Sequence, residues 1–180
     1  MANTYTLISS NVLTGSAASV TFSAIPSTYT DLVLRFTARS NASGATDSIG
    51  DIRINGATTT LYSNTTIYGD GVSAVSNRTS TQTYAQCFTV SGAGATTNTF
   101  GTVELYLPNY TSTSQNKVVS TYSAAESNTT TANTWYWYGA TAALYRESAN
   151  AITEIDIALR SSGSSFVSGS SFYLYGIKNA

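Results

Sequence analysis

Thr153-Glu154-Ile155-Asp156-Ile157-Ala158-Leu159-Arg160 alternates without a break: Ile155, Ile157 and Leu159 against Glu154, Asp156 and Arg160. A period of two places the first set on one side of an extended backbone and the second on the other, the pattern of a strand with one face in a core. Asp31-Leu32-Val33-Leu34-Arg35-Phe36-Thr37-Ala38-Arg39 repeats it, with Leu32, Leu34, Phe36 and Ala38 inward and Arg35, Thr37 and Arg39 outward. Val103, Leu105 and Leu107 do the same. Further β-branched and aromatic runs lie at Thr4–Ser9, Ser19–Ile25, Asp51–Ile54, Leu61–Tyr68, Tyr84–Val90, Lys117–Tyr122, Trp135–Tyr145 and Ser171–Ile177. About eleven short strands result. Asn55-Gly56 is a hairpin signal, and Gly69-Asp70-Gly71, Ser91-Gly92-Ala93-Gly94 and Ser161-Ser162-Gly163 separate neighbouring runs. No convincing amphipathic helix is present: in the best candidate, Ala140–Ala151, alanines and Leu144 could wind a turn or two, but the preceding Trp135-Tyr136-Trp137-Tyr138 favours a strand running into it. The pattern predicts an all-β chain: one antiparallel β-sandwich domain over residues 1–180, of jelly-roll type. Ser127–Asn133 reads as a long surface loop.

Composition narrows the function classes. The chain has 180 residues, of which 57 are Ser or Thr, against 8 Lys+Arg and 9 Asp+Glu. Its polarity comes from hydroxyls and amides. A net charge of −1 supplies no basic field for phosphates, so no nucleic-acid partner is expected. Hydrophobic residues make up 42%, enough for a core and too many for a disordered chain. Met1-Ala2-Asn3-Thr4-Tyr5-Thr6-Leu7 lacks a basic segment before an apolar run, and no stretch approaches the ~18 apolar residues of a membrane span. The expectation is a soluble product of the cytoplasm with no membrane partner.

Chemistry-bearing groups are sparse. Histidine is absent, which removes the commonest general base and the Ser-His-Asp device. Glu154-Ile155-Asp156-Ile157 resembles the start of the Glu-x-Asp-x-Glu strand of β-jelly-roll glycoside hydrolases. Ala158 and Arg160 stand where the second catalytic Glu would project, so the acid/base partner is missing and no enzyme is expected. Asp47 and Asp51, with Ser48 and Asn55, are the nearest approach to a loop calcium site; a turn followed by a strand accounts for the same residues. Asp70 between two glycines reads as a tight turn, and Ser91–Ala95 as a flexible segment. Cys87, inside a strand-like run, reads as a small buried hydrophobe. No catalytic residue, metal or cofactor is assigned.

Aromatic residues remain. Tyr136 and Tyr138 alternate with Trp135 and Trp137, and Tyr173 and Tyr175 alternate with Phe172 and Leu174. Each pair of tyrosines is a candidate outward surface, for a neighbouring subunit or for a sugar ring that stacks on aromatics.

Four segments carry a resemblance: Thr4-Tyr5-Thr6-Leu7-Ile8-Ser9-Ser10, Ile25-Pro26-Ser27-Thr28-Tyr29-Thr30-Asp31-Leu32-Val33-Leu34, Leu105-Tyr106-Leu107-Pro108-Asn109-Tyr110 and Phe166 to Ile177. In that order they resemble a family of small jelly-roll virion structural proteins of tailed bacteriophages. The resemblance implies a non-enzymatic particle component, made in the host cytoplasm and located in the virion. The leading expectation is a capsid decoration (cement) protein that binds major capsid protein subunits as a symmetric oligomer, a homotrimer. The alternative is a tail-tip or fibre-head adhesin, set among tail proteins and binding host-surface glycans.

Overall fold

The computed structural model describes residues 4–128, 137–160 and 163–178, and among these there is no helix. Twelve strands follow in chain order: β1 Tyr5–Val12, β2 Ser19–Phe22, β3 Asp31–Ala38, β4 Asp47–Ile54, β5 Tyr62–Gly69, β6 Ala74–Gln82, β7 Ala85–Ser91, β8 Gly101–Leu107, β9 Lys117–Ala125, β10 Trp137–Tyr145, β11 Ile155–Leu159 and β12 Ser171–Ile177. They pair antiparallel into an eight-stranded sheet, order β1-β12-β3-β8-β9-β10-β5-β6, and a four-stranded sheet, order β2-β11-β4-β7. The β-sandwich expected from the sequence is present. The chain changes sheets at eight of its eleven connections; the β5–β6 hairpin and the long β8-β9-β10 meander stay in the larger one.

Alternation explains the core. β3 contributes Leu32, Leu34 and Phe36, β8 Val103, Leu105 and Leu107, and β12 Phe172 and Leu174. From the smaller sheet come Val20 and Phe22, Ile52 and Ile54, Phe88 and Val90, and Ile155 and Ile157, all at most 4% exposed. Phe36 stands at the centre, edge-on to Phe88 and stacked on Phe172, with ring centroids 5.0 Å away in each case. Towards β9, β10 and β5 the inward residues shrink to Thr121, Ser123, Thr141, Ala143 and Thr66, and Thr66 and Thr141 share a 2.9 Å hydrogen bond. Short side chains there let β7 pack across β8, β9, β10 and β5. Cys87 lies in this region, 2% exposed, where burial pushes its thiol far up from its ordinary value.

The run expected as a strand over Trp135–Tyr145 is β10 from Trp137 to Tyr145, flanked by β9 and β5, because Thr141, Ala143 and Tyr145 alternate inward and both neighbours complete its ladder. Two expectations are corrected. Asn55 and Gly56 take the two positive φ angles of a hairpin turn, 51° and 64°, with Ala57 N donating to Ile54 O, yet the flanking strands do not pair. The turn instead sends the chain from β4 in one sheet to β5 in the other. Ser91–Ala95 is tied down rather than loose. The Arg39 guanidinium donates to the carbonyls of Ala93, Ala95, Thr96 and Thr99.

Lys117 does the same elsewhere: its buried ammonium donates to the carbonyls of Ser112, Glu147 and Asn150, joining two connections. Arg146 donates to Thr60 O and Leu61 O.

Strand edges are blunted. β1 is bulged between Leu7 and Ser9, β6 pairs through a register shift between Tyr62 and Asn64, β7 is bulged opposite Gly50 and Asp51, and β2 has only four residues.

Gly50 marks the tightest point between β4 and the core. A Cβ there would stand 2.0 Å from Phe88 Cζ and 2.9 Å from Ala158 O. Gly50→Ala is expected to lower unfolding stability by about 2–3 kcal/mol, because the ring beside Phe36 must move; urea denaturation checks it, and an unchanged midpoint contradicts this packing.

Candidate functional site

Register assembles a surface from residues far apart in sequence. On the outer face of the larger sheet, one row reads Ser76, Ile67, Ala140, Tyr122, Glu104, Arg35 and Tyr173 from β6 to β12. The next reads Arg78, Thr65, Ala142, Ser120, Tyr106, Val33, Tyr175 and, on β1, Leu7. A third holds Gly69, Tyr138, Ala124 and Thr102. Eight strands at about 4.8 Å spacing make the face roughly 34 Å wide.

Two aromatic regions stand on it. At one end, Tyr5 meets Tyr175 edge-on at 6.3 Å, and the Arg35 guanidinium lies 5.2 Å from the Tyr5 ring centroid. Arg35 Nε donates to Glu104 Oε2 at 2.6 Å, a pair half in solvent that neutralises itself and adds little stability. Tyr106 OH donates to Asp31 Oδ2 at 2.8 Å, which raises the tyrosine's pKa by holding its proton. At the other end, Tyr122 (56% exposed), Tyr138 (72%) and Ile67 (58%) border a groove of about 420 Å³ floored by Gly139 and Ala140. No lining residue is charged.

The sequence candidates divide accordingly. Tyr138 is outward and the most exposed of the three described; Tyr173 and Tyr175 are outward and half-buried, and share one face with Tyr138 from opposite ends. Tyr136 lies outside the described residues, as do Trp135 and residues 129–133 of the expected loop. Tyr5, Tyr106, Tyr122 and Ile67 join the face only through pairing. Outward Tyr122 is legible in Lys117–Ala125 once Val119 is set inward.

The opposite exterior, on the smaller sheet, is polar and charged. Thr21, Asp156 and Arg53 form one row, and Ser19, Ala158, Asp51 and Gln86 the next. Thr21 Oγ1 donates to Asp156 Oδ1 at 2.7 Å; Arg160 donates to Gln86 and covers the Tyr84 ring. Asp156 therefore stands on an open sheet face, and Glu154 lies just before β11. Asp47 and Asp51 lie on β4, a strand rather than the loop a calcium site would use. Among the described residues, no three Asp, Glu or Cys side chains converge as metal ligands.

No family model, curated protein or solved structure matches the chain.

Asp51 is the strained group of this face. It is 4% exposed, and its Oδ1 and the neighbouring Arg53 Nε are buried without hydrogen-bond partners. Burial pushes its carboxyl from 3.8 up to about 6, against the pull of Arg53 and Arg160 and with the push of Asp156. A raised folded value means that the neutral form suits the fold: the contribution is fully present below pH 3.8 and is lost as pH rises through about 6. Asp51→Asn is expected to gain about 2 kcal/mol at pH 7.5 and nothing at pH 3.5. Chemical denaturation at both pH values measures it; a loss at pH 7.5 overturns the assignment.

Proposed function

We propose that this chain is a non-enzymatic structural component of a tailed-phage virion, a capsid decoration protein that cements neighbouring major capsid protein subunits as a symmetric oligomer. The resemblance noted in the sequence supports the particle setting, and one observation carries the rest: a sheet face eight strands wide, presenting tyrosine rings among hydroxyls and small side chains. Half-buried Tyr173 and Tyr175, the latter edge-on to Tyr5 with Arg35 over the Tyr5 ring, form contact area that loses little side-chain freedom on docking. Few charges keep such contacts insensitive to salt. We read the topology as a jelly roll in which β8-β9-β10 replaces a single strand, because the sheet changes wrap the chain so that β11 closes beside β2.

The second reading is a tail-tip or fibre-head adhesin. Tyr122 and Tyr138, standing beside Gly139 and Ala140, leave room for a sugar ring to stack. It ranks second because the groove offers few of the hydrogen-bonding groups that select a sugar.

Side-chain-resolution imaging of purified particles tests the first reading. We expect the protein on the head, with Tyr173→Ala plus Tyr175→Ala reducing its occupancy about tenfold, equivalent to ~1.4 kcal/mol. Location on the tail alone, or heads equally heat-resistant without it, rejects cementing. Binding to a glycan array that is lost in Tyr138→Ala selects the adhesin.

A further inference from the structure

The β5–β6 hairpin carries a projecting apolar side chain beside an apolar groove. Its turn, Asp70-Gly71-Val72-Ser73, is fixed from within: Asp70 Oδ1 accepts from Val72 N at 2.9 Å and Ser73 N at 2.6 Å, Asp70 N donates to Ser73 O, and Gly71 takes φ +81°. The turn holds Val72 out at 94% exposure, the most exposed of the large hydrophobic residues described. Gly69 and Ala74, the last pair before the turn, form the end of the groove that Ile67, Tyr122 and Tyr138 border.

Projection and groove adjoin each other at one end of the larger sheet, which suits a reciprocal contact. We infer that two copies of this chain pair about a two-fold axis through this end of the larger sheet, each inserting its Val72 turn into the other's groove. An isologous contact requires a patch complementary to itself, and three features provide it. The groove lining has no charge, so facing copies bring no like charges together there. Arg78, exposed on β6 opposite Thr65, lies beyond the groove at the far side from the turn. An inserted turn brings Asp70 of one copy towards Arg78 of the other, opposite in sign. Both edges of the larger sheet are bulged, so faces rather than strand edges are left to meet.

Size sets the strength. Four strands at about 4.8 Å spacing and roughly 25 Å of strand length give a patch on the order of 500 Å² per copy, short of the ~800 Å² of a standard stable interface. The pair is therefore weak in dilute solution and fills when copies are held close together. This inference does not rest on the virion reading and survives its failure.

Sedimentation velocity of the full chain from 10 μM to 1 mM provides the test. We expect a concentration-dependent dimer, weakened at least tenfold by Val72→Asp and by Ile67→Asp, weakened several-fold by Arg78→Glu, and unaffected by Val12→Asp, an equally apolar exposed site on β1. Unchanged thermal melting shows that each variant still folds. An equimolar mixture of Val72→Cys and Ile67→Cys chains should form an intermolecular disulfide under mild oxidation, while buried Cys87 stays free. A monomer at 1 mM, or a dimer or trimer that ignores Val72 and Ile67, overturns the pairing.

Discussion

A four-stranded sheet cannot cover an eight-stranded one, and that mismatch in width governs this molecule. Where the two overlap, Phe36, Phe88 and Phe172 and the aliphatic side chains around them form an apolar interior. Beyond the overlap lie β1 and β6, whose residues are largely exposed. Strands that bury little of their own must lean on ladder hydrogen bonds to a covered neighbour, β12 for one and β5 for the other. The chain's hydroxyl-rich composition suits this, because serine and threonine extend a sheet without demanding a partner for apolar surface.

Loops face a related difficulty, since a chain that changes sheets so often has many connections to hold. Three of its eight cationic side chains, Arg39, Lys117 and Arg146, are spent on backbone carbonyls. Asn55 works alike, donating to Ala151 O while its Oδ1 accepts from the amides of Thr153 and Glu154. Each ties segments distant in sequence, and the carbonyls engaged lie in connections outside the strands. Few charges are then left for the exterior, and those are concentrated on the smaller sheet. The larger sheet's outer face is left to rings, hydroxyls, the self-neutralising pair Arg35–Glu104 and Arg78 near its β6 edge.

How much of this the sequence discloses depends on burial. β3, β8, β11 and β12 are legible because a covered face imposes apolar alternation. β6 is not: Ala74–Gln82 has no buried side to write a pattern, and it joins the fold only through pairing with β5. The Asn55-Gly56 turn is legible as backbone geometry but not as connectivity, since two positive φ angles fix a reversal without saying which sheet the next strand enters. Tyr138, Tyr173 and Tyr175 are readable as outward from their inward neighbours. That they share one face with Tyr5, Tyr106 and Tyr122 is a matter of register across eight strands, which no local stretch encodes.

Cys87 sits between the sheets with its proton held firmly, so the thiolate that would attack an oxidant or a disulfide is scarcely populated. Loops stapled by guanidinium, ammonium and amide groups need no covalent crosslink to keep their shape. A transfer from a reducing medium to an oxidising one would thus leave the folded chain chemically the same, with no bond to form on the way out and none to break on return.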